Sequence, residues 1–138
     1  MNPSRAETLE QLARLCRTGR DTSAPPAIEP SGIAELDATL PGGGWPVGAV
    51  VELMPMSTGI GELRLLLSTL ARITRTERYV AFASPPYIPF APALAQSGVN
   101  LERLLVINAP ASEETLWAFE QTLRCKSFGA VLAWSPVA

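Results

Sequence analysis

From residue 49 onward, short apolar runs alternate with segments whose apolar residues recur every three or four positions. The runs at 49–54, 79–83, 104–107 and 129–134 have the length and composition of buried strands. Between them, 61–74 reads as a helix with Leu63, Leu66, Leu67 and Leu70 on one side. A second helix covers 90–97, opening after prolines and stopping at Gly98, a residue suited to a helix C-terminus. A third opens at Ser112-Glu113-Glu114 and carries Leu116, Phe119 and Leu123; Ser112 is placed to cap it, and the two carboxylates fall in its first turn. Strands separated by helices predict an α/β fold, a mainly parallel sheet flanked by helices.

The first thirty residues differ in kind. Residues 4–18 predict a short helix with Leu9, Leu12, Ala13, Leu15 and Cys16 on one face and Glu10, Arg14 and Arg17 on the other. Residues 19–30 hold three prolines and several small polar residues, which discourage helix and strand alike, so they read as a linker. The expected organisation is therefore a helix at 1–18, a linker at 19–30 and a core at 31–138. The leucine stripe of a helix on a tether docks either on its own domain or on a partner.

Composition narrows the function. A chain of 138 residues suits one domain with a real core, 47% of it apolar. No apolar run approaches the ~20 residues that cross a bilayer, and the N-terminus lacks the apolar block of a signal peptide. The expected location is the cytoplasm. A net charge of −2 argues against a strong non-specific grip on nucleic acid. Arg72, Arg75 and Arg78 cluster only as a solvated helix end would. With no histidine in the chain, Ser-His-Asp and Cys-His catalysis and histidine metal sites are closed. Cys16 and Cys125 form no metal-spacing motif and are expected to be reduced and partly buried.

The most informative stretch is Ser31-Gly32, Leu36-Asp37, Pro41-Gly42-Gly43-Gly44-Trp45-Pro46-Val47-Gly48, then Val51-Glu52-Leu53. In this order the motifs resemble the RecA superfamily, in which the first core strand leads into a phosphate-binding loop at the head of a helix. The resemblance covers about residues 31–135 and implies a RecA-like, P-loop-type core. A working loop of that kind needs Gly-x-x-x-x-Gly-Lys-[Ser/Thr]: amides cradle phosphates, lysine neutralises them and the hydroxyl holds magnesium. Here Met56 stands at the first glycine, Gly61 matches the second, Glu62 takes the lysine position and Leu63 the hydroxyl position. Exchanging attraction for repulsion at ~4 Å and an effective dielectric of ~20 swings the pair energy by as much as ~8 kcal/mol. The strand that should end in a magnesium-positioning Asp ends in Trp134, and the acidic pair after the second strand falls on Ser84 and Pro86. The resemblance thus implies a degenerate nucleotide site, no catalytic residue, no metal and no cofactor. Gly59 and Gly61 then either mark the old loop or simply shape a strand-to-helix turn.

Within the superfamily the chain is most similar to the ImuA group, RecA-like accessory proteins of SOS-induced mutagenic translesion synthesis. The likeness rests on Leu40 to Pro46, Gly59 to Leu66, Pro85 to Leu94 and Gly129 to Trp134. It implies a scaffold that works by protein–protein contact with an ImuB-like polymerase relative and with RecA, DNA contact being indirect or weak and homo-oligomers possible. Leu123-Arg124 and the Trp134-terminated strand also resemble the cell-division inhibitor SulA, which implies FtsZ as the alternative partner. Leu9, Leu12 and Leu15, Trp45, and Tyr87 in its proline-stiffened loop are the candidate partner residues; Trp45 and Trp134 are either interface anchors or half-buried packing. RecA cores continue beyond the fourth strand, so either this is a piece of a longer protein or its packing is completed by a partner.

Overall fold

The computed structural model describes residues 27–57, 59 and 61–134. The helix expected at 4–18, with Leu9, Leu12 and Leu15, lies outside the described residues.

The main body is a three-stranded parallel sheet in the order β4-β3-β5, formed by β3 (Tyr79–Ala83), β4 (Leu104–Ile107) and β5 (Phe128–Ala133). Val80 sits level with Leu104 and Ala130, and Phe82 with Val106 and Leu132. Because side chains alternate across a strand, one face carries Val80 and Phe82 and the other Ala81 and Ala83; all four are completely buried. The large residues meet Leu70 and Ala71 of α2 (Leu67–Arg75), Leu94 of α3 (Ala91–Gln96) and Val99, and together these form the core. The alanines leave room for α4 (Ser112–Arg124), which packs over β5 and β3.

The buried face of α4 is Thr115, Ala118 and Thr122. Small residues there match small residues on the strands, so helix and sheet approach closely. Each threonine hydroxyl is satisfied by its own helix, Thr115 donating to the Ala111 carbonyl at 3.2 Å and Thr122 to that of Ala118 at 2.9 Å. Leu116 and Leu123, expected to define the apolar side of this helix, are instead exposed. Ser112 is the first helical residue and not the cap; Ala111 holds the cap position without a side-chain bond.

A smaller unit leads into this body. β1 (Ile28–Glu29) pairs antiparallel with β2 (Trp45–Pro46) around α1 (Ala34–Thr39). Two residues assigned to the linker by composition are thus in a strand. The Glu29 carboxylate accepts from Arg72 Nε at 2.8 Å, and the Pro30 carbonyl accepts from Thr69 at 3.0 Å and from Arg72 Nη2, fastening the unit to α2. Arg72 is therefore a tie between units and not a solvated helix end; Arg78 likewise donates to the Phe128 carbonyl.

One expected strand is absent. Residues 49–54 form no ladder, and Val50 and Met54 are about four-fifths exposed, at 80% and 83%. An apolar β-prone run shows that a segment is worth burying, but a strand forms only where a sheet edge satisfies its amides. Among the described residues this segment pairs with neither outer strand of the sheet.

Candidate functional site

The loop at 56–61 and the C-terminal ends of the strands are where an open parallel sheet presents groups to a ligand. Gly59 and Gly61 have φ of 81° and 100°, left-handed conformations that a side chain makes costly. Their glycines are explained by the turn alone. The helix expected from Gly61 begins as a 3₁₀ turn at Glu62–Leu65 and becomes α2 only at Leu67.

At this turn the Glu62 carboxylate accepts a hydrogen bond from the Gly59 amide at 3.2 Å. Leu63 packs against the core cluster, and Met56 is fully exposed. The turn therefore holds an internal carboxylate on one of its own amides, and the residue in the hydroxyl position is a core residue. Tyr87, two-thirds exposed at 67%, lies over Gly59: a methyl on that glycine would stand 3.4 Å from its ring.

The end of β3 is closed by hydroxyls. Ser84, the one non-glycine residue with positive φ (49°) among those described, sits within 2.8 Å of the Thr115 hydroxyl and accepts from the Ala109 amide at 3.2 Å. Sequence reasoning missed Thr115 because the pair is 31 residues apart and no spacing signal links it. The end of β5 is closed by Trp134, whose amide donates to the Ala83 carbonyl and whose ring packs edge-on to Phe82 with centroids 5.4 Å apart. Among the described residues no group of three His, Cys, Asp or Glu side chains converges as metal ligands do.

Of the partner candidates, Trp45 is buried and Trp134 half-buried, so both serve packing. An interface anchor needs accessible surface, which Trp45 does not offer. Tyr87 is joined on its loop by exposed Ile88 and Phe90. Trp117, which the apolar pattern did not single out, is also exposed, as is Cys125, contrary to the partial burial expected for it. Near α1, hydrogen bonds from Ser31, its side chain first and then its amide, hold the Asp37 carboxyl below its ordinary value of 3.8; the Gly32 amide and the charge of Arg72 add to this.

No family model matches the chain. Among curated proteins it is 31% identical over 119 residues to Protein RecA of Clavibacter michiganensis subsp. michiganensis, an alignment covering 86% of this chain and 32% of that protein. The relationship is RecA-like. Protein RecA of Paenarthrobacter aurescens is 33% identical over 103 residues, covering 74% of this chain and 29% of the relative. Protein RecA of Leifsonia xyli subsp. xyli is 29% identical over 119 residues, 86% of this chain and 33% of the relative. The RecA-like chain thus spans about a third of the length of the curated relatives it matches. A three-stranded parallel sheet flanked by helices is compatible with that relationship. No helix among the described residues is long and apolar enough to cross a membrane.

Proposed function

We propose that this chain is a non-catalytic RecA relative of the DNA-damage response, an ImuA-like accessory protein that supports SOS-induced translesion synthesis by binding an ImuB-like polymerase relative and RecA. The observation that carries the reading is the Glu62–Gly59 contact. ATP and magnesium are what a RecA-like loop implies, and the residues present do not fit them. A phosphate would meet a carboxylate where it needs lysine, on an amide that the carboxylate already engages. A magnesium ion would find Leu63, turned into the core, where it needs a hydroxyl, and Trp134 where it needs a carboxylate. With that chemistry gone, what remains for a ligand is surface, and the exposed Tyr87-Ile88 and Phe90 loop beside the former site is apolar.

Two measurements test this. Titration with a fluorescent ATP analogue and magnesium is expected to show no saturable binding; micromolar binding competed by ATP overturns the degenerate-site reading. Purified RecA, an ImuB-like polymerase relative and FtsZ are then each assayed against the immobilised chain. Binding of either of the first two supports the ImuA-like role. Binding of FtsZ alone transfers the chain to the SulA-like role implied by Leu123-Arg124 and the Trp134-terminated strand.

A further inference from the structure

α4 has a face that the packing of the body does not use. A step of two residues turns a helix by about 200°. The stripe Glu113, Trp117, Glu120 and Arg124 therefore lies opposite the buried stripe Thr115, Ala118 and Thr122 and points away from the sheet. All four residues of that outer stripe are exposed, as is Glu114 beside them. Trp117 is 64% exposed and has no place in the core cluster.

Charge surrounds that indole. Positions three and four residues away are neighbours on a helix surface, about 5–6 Å apart. For Trp117 these are Glu113 and Glu114 on one side and Glu120 and Gln121 on the other. Glu120 already holds a guanidinium, that of Arg124 at 2.5 Å. Glu113 and Glu114 form no ion pair among the described residues. The helix dipole accounts for two carboxylates in a first turn, but it gives no reason for a tryptophan beside them. Such a side chain adds nothing to the packing of its own body, and tryptophan is enriched where partners bind.

The chemistry of the face selects its occupant. Indole is the side-chain ring that attracts a cation best, and three carboxylates against one guanidinium leave this side of α4 negative. Arginine suits both parts better than lysine. Its planar, weakly hydrated guanidinium lies flat on a ring while the N–H groups at its edge donate to a carboxylate. A guanidinium over Trp117 has Glu113 and Glu114 one helical turn away, the same separation that the Glu120–Arg124 pair spans in the next turn. A ring contact of this kind already occurs in the body, where the Arg103 guanidinium lies 4.9 Å from the centre of the Tyr79 ring.

We propose that the outer face of α4 binds an arginine-bearing segment of a protein partner, one guanidinium stacking on Trp117 and pairing with Glu113 or Glu114. The test is fluorescence anisotropy of a labelled tetra-arginine peptide against the 138-residue chain at about 20 mM salt. Saturable binding below about 1 mM is expected, and its absence overturns the proposal. Trp117→Leu keeps an apolar side chain but removes the ring. It should leave the melting temperature unchanged and weaken binding about fivefold or more, with Trp117→Phe in between. Glu113→Gln with Glu114→Gln should weaken binding about tenfold, whereas Glu35→Gln, exposed on α1, should change nothing. Tetra-lysine should bind more weakly than tetra-arginine. Equal binding by the parent and Trp117→Leu means general attraction to a negative chain and overturns the proposal. So does self-association that Trp117→Leu abolishes, because the occupant of the face is then a second copy.

Discussion

At the scale of single residues, the Glu62 carboxylate accepts from the Gly59 amide and Leu63 packs against the core cluster. Asp37, by contrast, is a polar residue with a purely structural task, accepting from the Ser31 amide at 2.8 Å. Its depressed carboxyl makes a signed prediction. A carboxyl whose folded value lies below its unfolded value contributes stability that is complete above the unfolded value and is lost as pH falls through the folded one. Asp37→Asn should therefore destabilise the chain at pH 5–7, and the difference from the parent should shrink below the ordinary carboxylate range near 3.8. Urea melts across that interval measure it, and a difference that grows on acidification assigns the wrong sign.

Elements show how far pattern reading reaches. The helices and strands at 79–83, 104–107 and near 90–97 and 112–124 emerge close to where periodicity places them. The sided reading of α4 fails, because hydrophobicity ranks leucine above threonine while the alanine-lined sheet needs a small face. That fit predicts an asymmetric response at Thr122, which bonds only the Ala118 and Phe119 carbonyls of its own helix. Thr122→Val should change stability by less than about 1 kcal/mol, since no other group loses a partner. Thr122→Leu should cost about 1–3 kcal/mol by forcing helix and sheet apart. Thermal or denaturant melts separate the two, and equal effects would mean the interface is looser than the burial indicates. The leucine stripe at Leu9, Leu12 and Leu15 belongs to the same scale. Deleting residues 1–20 should weaken RecA or polymerase-relative binding while leaving the melting temperature nearly unchanged. A steep fall in melting temperature with partner binding intact makes that stripe part of the core.

For the whole molecule, charge and surface decide more than the sheet does. A net charge of −2 and an arginine cluster partly engaged in internal bonds leave little basic surface for a phosphate backbone. A labelled single-stranded oligonucleotide should therefore bind this chain weakly or not at all. A tight shift that falls steeply with salt would show a basic groove that the charge balance does not suggest. Large exposed apolar side chains gather in the segment from Val50 to Met56, on the Tyr87-Ile88 and Phe90 loop, and on α4 at Leu116, Trp117 and Leu123. Patches of that kind mark contact surfaces, which suits a molecule proposed to act by assembly.

The order of elements and the parallel sheet are determined by the sequence, because periodicity, glycine positions and residue types are local properties. Three matters were decided only in three dimensions. Whether 49–54 became a strand depended on a neighbouring edge, which no run of valines specifies. Which face α4 buried depended on Ala81 and Ala83, more than thirty residues earlier. The Ser84–Thr115 pair and the Arg72–Glu29 tie depended on chain segments meeting across the fold. Local pattern records what a segment can bury or bond; packing chooses the group that receives it.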